Sequence, residues 1–216
     1  MKKIIISAIV LAFIMSIENP VFAFPEVFGA RPSQSQGKSV GSLPPNGSRN
    51  AKVEIIEYGN YYDPFSRRFF QDIEQQLRAE YIETGKVVMY WKDFVFPDFP
   101  GPLGNTDAAN AARCANEQRM FWEYHDILLS QPTPNPEPES EPLDFVGFGE
   151  ELGLNMPQFI QCLVVEKYRP LIEASSRNAV QEGITAVPIF FINGRLVVGA
   201  QSLDEFRRII DEELAQ

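Results

Sequence analysis

One histidine and two cysteines in 216 residues leave this chain few of the groups on which metal and nucleophilic chemistry depend. A zinc site needs three or four ligands brought together. His125, Cys114 and Cys162 are too few and too scattered to supply them, so neither a metal nor a cofactor is expected. His125 precedes Asp126 directly, yet no Gly-x-Ser-x-Gly elbow or oxyanion motif accompanies it, and a packed or surface position is the expectation. Positive charge is also short, with 19 Lys and Arg against 29 Asp and Glu and a net charge of -10. Nonspecific nucleic-acid binding needs a basic footprint, so nucleic acid is not an expected partner and the acidity reads as a solvated surface. Residues 4–17 are almost wholly apolar, but a membrane-spanning helix needs about 20 such residues. No internal repeat is present.

The start of the chain has the pattern of a secretory signal. Met1-Lys2-Lys3 is basic, Ile4 to Ile17 is apolar, and Val21-Phe22-Ala23 offers small residues at an A-x-A-like cleavage site. Residues 1–23 are therefore expected to be a signal peptide, which makes the protein exported, periplasmic or otherwise extracytoplasmic. Were the segment retained, it would be the one route to a membrane. Residues 24–50 are rich in Ser, Gly, Pro, Gln and Asn without any period, and are expected to be a flexible tether. The folded domain is expected over 51–216, beginning near Lys52. Residues 131–142 alternate Pro with Glu, Thr and Asn, as an exposed loop would.

Within that domain the apolar pattern changes period several times. Val53 to Tyr58 reads as a strand. Asp63 then suits a helix N-cap and Pro64 the first helical position. Phe65, Phe69, Ile73 and Leu77 follow at i+4 spacing, so a helix runs to near Gly85. Val87 to Trp91 reads as a second strand, and residues 106–183 as several helices. Pro188 to Ile192 is a strand, Asn193-Gly194 a two-residue hairpin turn, and Arg195 to Val198 its return. Ser202-Leu203-Asp204-Glu205 is a capping box before a final helix. Four strands with helices on both faces are the expected layers, the first two strands parallel through a helical crossover.

This order resembles a thioredoxin fold with a helical insertion, as in the DsbA-like family of bacterial thiol–disulfide oxidoreductases. The resemblance is carried by the junction from Tyr58 to Phe69, by Ala111-Ala112-Arg113-Cys114 followed by Phe121-Trp122-Glu123-Tyr124-His125-Asp126, and by Val187-Pro188-Ile189-Phe190-Phe191-Ile192-Asn193-Gly194. It spans about residues 52–214. It implies an α/β fold with a central β-sheet flanked by helices and an α-helical insert at about 103–183. In such proteins the junction carries Cys-x-x-Cys, the first thiol activated by the helix N-terminus and the second resolving the mixed disulfide. Here the four residues are Asp63-Pro64-Phe65-Ser66. A carboxylate and a hydroxyl cannot exchange disulfides, so Asp63 and Ser66 are degenerate positions and no catalytic residue is assigned there.

The resemblance assigns further roles. Val187 stands before the family's cis-proline, Pro188, where substrate backbone pairs; with Tyr62 and Phe65 these are candidate peptide-binding residues, the alternative being a purely architectural turn and ordinary core and rim packing. Cys114 and Cys162 correspond to a structural disulfide closing a loop of about 49 residues, an effect of about 4 kcal/mol. Alternatively the pair is itself redox-active, although no C-x-x-C spacing and no basic neighbour pattern accompanies it. The expected function is an exported, redox-inactive module that binds an extracytoplasmic peptide or protein in a chaperone-like way; the alternative is a thiol–disulfide oxidoreductase working through Cys114 and Cys162. A third possibility is an assembly role in the envelope. Whether the chain is an enzyme stays open at this level.

Overall fold

The computed structural model describes residues 43–96, 101–132 and 143–216. The expected signal peptide, most of the expected tether and nearly all of the 131–142 loop lie outside the described residues.

Five strands form one mixed sheet in the order β1-β3-β2-β4-β5. They are β1 (Asn46–Gly47), β2 (Val53–Gly59), β3 (Val87–Asp93), β4 (Ile189–Ile192) and β5 (Arg195–Val198). β2 runs parallel to β3 and antiparallel to β4, with Ile55 opposite Met89 on one side and Ile192 on the other. β4 and β5 form the hairpin turned at Asn193-Gly194, both with positive φ, as a type I′ turn requires.

The strand β1 was not foreseen, and it corrects the expected tether boundary. Asn46 and Gly47 pair antiparallel with Met89 and Val88, Leu43 is buried, and Trp122 donates its indole N–H to the Pro44 carbonyl at 3.1 Å. The expected 24–50 tether thus runs into ordered chain by Leu43, because the free edge of β3 offers backbone groups that a polar, Gly-containing segment can pair with. Gly47 is suited to the place: its φ is +99° and a Cβ there would lie 2.7 Å from the Val87 carbonyl oxygen.

The crossover helix α1 spans 64–82, with π-helical turns at Phe70–Glu74 and Arg78–Ile82. The sequence accounts for those wide turns. A stripe repeating every four residues drifts around a helix of 3.6 residues per turn, whereas π turns take up more residues and cut the drift. Phe69, Ile73, Leu77 and Tyr81 consequently all stay buried, against Val53, Ile55, Val87, Met89, Phe190 and Ile192. The last helix, α7 (Leu203–Ala215), covers the same face with Phe206, Ile209 and Ile210. Its N-cap is Ser202, whose hydroxyl accepts from the Glu205 N–H at 3.3 Å.

The insert contains α2 (Asp107–Asn116), α3 (Phe121–Ser130), α4 (Phe145–Glu151), α5 (Met156–Val164) and α6 (Arg169–Gln181). They enclose a second apolar cluster containing Cys114, Phe121, Tyr124, Leu128, Phe159, Cys162 and Ile172. A buried ion pair ties this block to the sheet: Arg113 Nε on α2 donates to Asp93 Oδ2 at the end of β3 at 2.6 Å. The far side of the sheet end meets α6 through Tyr58, Ile189, Phe191 and Ala179.

Candidate functional site

The start of α1 is closed by its own side chains. Asp63 has extended backbone (φ -80°, ψ 125°), and its carboxylate accepts from the Ser66 N–H at 2.6 Å and the Ser66 hydroxyl at 3.0 Å. The Ser66 hydroxyl in turn accepts from the Asn60 N–H at 3.3 Å, and Ser66 is fully buried. Burial pushes the Asp63 carboxyl above its ordinary range, against the hydrogen bonds from Ser66 and Phe65 that favour its charge. Two oxygen side chains thus satisfy the helix start, and neither can carry a sulfur intermediate.

The structure does not bring the four candidate peptide-binding residues into one cluster: Val187 and Tyr62 pack on different ones, and Phe65 on neither. The Val187–Pro188 peptide is cis. Val187 is buried with Tyr58, Phe94, Ala179 and Ile184, and the Pro188 carbonyl accepts from the Gly199 N–H at 2.8 Å. Tyr62 packs on the insert and donates its hydroxyl to Asp107 Oδ1 at 2.6 Å. Phe65 alone of the four is broadly exposed, at 56%.

Beneath α1 lies an acid cluster that sequence reasoning did not single out. Glu57 on β2 and Glu74 on α1 are both buried, and the two Glu57 carboxylate oxygens have no hydrogen-bond partner among the described residues. Burial, reinforced by the neighbouring Glu74, pushes the Glu57 carboxyl well up. Burial likewise raises Glu74 to about 7, against the opposing Arg78 guanidinium. Arg78 bridges Glu74 and Asp126 at 2.6 Å to each. His125 takes the packed position expected of it: it is fully buried, its Nδ1 lies 3.0 Å from the Tyr61 hydroxyl, and it stands edge-on to Tyr61 and Trp91. Burial, then the charge of Arg78, holds its pKa well below the usual imidazole value, so the neutral ring is the stable form.

Sulfur is found in the insert. Cys114 on α2 and Cys162 on α5 are joined by a disulfide across a sequence separation of 48, with Cα atoms 5.8 Å apart. The two sulfurs differ in surroundings. Both belong to the core of the insert, Cys114 at 1% and Cys162 at 4% exposure, but Cys162 also lines a surface cavity of about 340 Å³ together with Glu117, Gln158, Gln161, Val165 and Lys167. Residues 158, 161, 162 and 165 fall on one stripe of helical spacing, which is why α5 can present them together.

Glu117 Oε1 lies 3.7 Å from Cys162 Sγ. The same oxygen accepts from Lys167 Nζ at 2.6 Å and from the Tyr168 hydroxyl at 2.8 Å. Burial works against the charge on Glu117, but hydrogen bonds from Lys167, Tyr168 and Gln158 outweigh it and hold the carboxyl below its ordinary range. Neither Glu117 nor Lys167 was anticipated; Lys167 lines the same cavity as Cys162 and bonds Glu117. The available signal was spacing: Glu117 follows Cys114 by three, one helical turn, and Lys167 lies just past the end of α5.

A family model described as "Thioredoxin" matches residues 42–212. The "Probable disulfide bond formation protein D" of Bacillus anthracis is 28% identical over 191 residues, covering 88% of this chain and 82% of that protein. The "Na(+)/H(+) antiporter NhaA 1" of Salinispora arenicola is 27% identical over 169 residues, which are 78% of this chain but 24% of that protein, so the chain spans about a quarter of its length. Among solved structures, oxidised BdbD from Bacillus subtilis superposes with a TM-score of 0.71 at 21% identity, covering 82% of this chain and 96% of that one, a likeness of fold.

The expectation of a redox-inactive binding module is overturned by two findings. Relatives of this length are named for disulfide formation, and this chain holds its own disulfide with one sulfur at a cavity wall. The findings favour the alternative, an oxidoreductase using Cys114 and Cys162, because the absence of sulfur at 63 and 66 leaves the pair in the insert.

Proposed function

The chain belongs to the DsbA-like thioredoxin-fold family, and from that premise we propose that it is a thiol–disulfide oxidoreductase whose working sulfurs are Cys114 and Cys162. The observation that carries the reading is the asymmetry of this disulfide: both cysteines are buried, but Cys162 also lines a surface cavity, beside a carboxylate–ammonium pair, and Cys114 does not. A substrate thiolate enters the cavity and attacks Cys162 Sγ along the S–S axis. The bond to Cys114 breaks and Cys114 leaves as a thiolate, which takes up a proton. A second substrate thiolate then attacks the substrate sulfur of the mixed disulfide and releases Cys162. The substrate dithiol loses two electrons as its disulfide forms, and the protein gains them as two thiols. Glu117 stands where the released Cys162 thiol would donate a hydrogen bond, which favours thiol over thiolate once the enzyme is reduced.

Naming of relatives for disulfide formation supports the oxidising direction. An extracytoplasmic location is part of the same proposal. It is supported by the disulfide itself, which persists in oxidising compartments, and by the basic, apolar and A-x-A-like pattern of residues 1–23. No helix among the described residues is long and apolar enough to cross a membrane.

The test is stoichiometric oxidation of dithiothreitol by the oxidised protein, followed by thiol titration. One dithiothreitol consumed per disulfide is expected. Cys162→Ala and Cys114→Ala should each abolish it; Cys114→Ala leaves Cys162 as a free thiol, which should exchange with an added small-molecule disulfide, keep half of it as a mixed disulfide read by mass, and release the other half as a thiol. Failure of the folded wild-type protein to oxidise dithiothreitol sinks the proposal.

A further inference from the structure

Lys167 is set beside Cys162 by the way α5 ends. Glu166 takes a left-handed backbone, φ +47°, although it is not glycine. Its N–H bonds the Leu163 carbonyl at 2.9 Å, and the Lys167 N–H bonds the Cys162 carbonyl at 3.2 Å, the two bonds of a Schellman turn. A left-handed non-glycine is strained and persists only where its surroundings hold it. The turn folds the chain back so that Lys167 Nζ and the Tyr168 hydroxyl both reach Glu117 Oε1, at 2.6 and 2.8 Å. Gln158 Nε2 donates to the other oxygen, Oε2, at 3.3 Å. Exposure rises outward through this set: Cys162 is 4% exposed, the Glu117 side chain 17% and the Lys167 side chain 52%. The sulfur is the inner end of the site and the ammonium its mouth.

We propose that this cavity takes a small monothiol acid, its thiol at Cys162 and its carboxylate on Lys167. The inference rests on the redox reading above and names a substrate class for the same site. A sulfur this little exposed admits a thiol carried on a slim arm of a few carbons; a thiol borne on a main chain brings its neighbours against the walls first. Lys167 has three N–H donors and Glu117 takes one, so a carboxylate at the mouth meets donors as well as charge. Glu117, 3.7 Å from Cys162 Sγ, repels a carboxylate from the interior and so fixes which end of the ligand enters. The ligand thiolate attacks Cys162 Sγ, the bond to Cys114 breaks, and Cys114 leaves as a thiolate that takes up a proton. A second ligand thiolate attacks the ligand sulfur of the mixed disulfide and releases Cys162, which is protonated in turn. Two monothiols lose two electrons in forming one symmetrical disulfide, and the protein gains them as two thiols. The net charge of -10 works against any anion, so a faster reaction of an anionic thiol has to come from the site itself.

The experiment uses the full oxidised protein and three thiols of similar size: 3-mercaptopropionate, mercaptoethanol and cysteamine. Loss of the protein disulfide is followed by acid quench, alkylation and mass, and each rate is divided by the fraction of reagent present as thiolate. Wild-type protein should react with 3-mercaptopropionate roughly tenfold faster than with mercaptoethanol, the effect of one charge-assisted hydrogen bond, and with cysteamine more slowly than with either. Lys167→Gln should bring the ratio of mercaptopropionate to mercaptoethanol down to about one, and Lys167→Arg should keep it well above one. Thermal unfolding checks that both variants fold. In the wild type alone, salt at about 1 M should cut the preference several-fold. Equal rates with the three thiols, a preference that survives Lys167→Gln, or one untouched by salt overturns the thiol-acid site and leaves the redox reading standing. A wild-type protein that oxidises neither these thiols nor dithiothreitol removes the redox reading and the inference with it.

Discussion

The N-terminus of α1 and the junction of α2 with α5 pose the same physical problem and solve it differently. Both bring a reactive-looking side chain to a helix and surround it with hydrogen-bonding groups. At α1 the groups are oxygen, and they are consumed locally: Asp63 accepts from Ser66 twice, and Ser66 accepts from Asn60. Between α2 and α5 the groups are sulfur, held by chain segments 48 residues apart and flanked by Glu117 and Lys167. A helix start can be satisfied by any good cap, and its chemistry depends wholly on which atom does the capping. A disulfide draws its chemistry from access, and here Cys162 lines a cavity while Cys114 does not, although both are buried. On the proposed function, the fold's familiar site has lost its sulfur while exchange passes to the pair in the insert.

The largest test of this contrast is removal of the disulfide. Cys114→Ala should destabilise the protein by about 4 kcal/mol, the chain-entropy effect of a loop this long. Urea unfolding of variant and wild type, the latter with and without reductant, reads the value directly. A near-zero difference would mean that the insert holds itself together without the bridge. Next is the pair that anchors the insert to the sheet. Arg113→Leu leaves the buried Asp93 carboxylate without its guanidinium and should cost about 3–5 kcal/mol. Because Arg113 adjoins Cys114, dithiothreitol oxidation should slow as well. A stable variant with an unaltered rate would separate the anchor from the sulfur site.

The acid cluster under α1 gives a smaller, pH-dependent effect. Glu57 and Glu74 have folded-state pKa values raised above the ordinary carboxylate value, Glu74 to about 7. Each binds its proton more tightly folded than unfolded, so the stability it contributes is full below about pH 4.5 and is lost as pH rises toward and through the folded value. Wild-type stability should therefore fall between pH 5 and pH 8. Glu57→Gln, which needs no charge, should flatten that decline, as urea titrations at the two pH values will show. The smallest effect is at the cap. Asp63→Ala should cost about 1 kcal/mol and leave dithiol oxidation intact. A collapse of exchange in that variant would return the chemistry to α1 and reverse the comparison.

Much of the fold was legible in one dimension. The Asn193-Gly194 turn, the Ser202 capping box, the Asp63-Pro64 helix start and the strand at Val53 are local signals, each fixed by a few neighbouring residues, and each element stands where those signals put it. The strand at Asn46–Gly47 was missed because its partner, the edge of β3, is some forty residues away and its own composition is that of a linker. The π turns of α1 were implicit in the four-residue spacing and became visible only once Phe69 to Tyr81 had to face one sheet.

What the sequence by itself determined is the identity of the atoms at each place: oxygen at 63 and 66, sulfur at 114 and 162, and the order of elements that makes the family recognisable. These follow from local propensity and from covalent identity, which no folding can alter. The resemblance already implied that the two sulfurs pair; tertiary structure alone decided that Cys162 lines a cavity while Cys114 does not, that Glu117 and Lys167 come beside Cys162, and that Glu57 is buried with no hydrogen-bond partner for its carboxylate among the described residues. Those are long-range contacts, chosen by the packing of whole helices against one another and against the sheet, and no short stretch of sequence carries them.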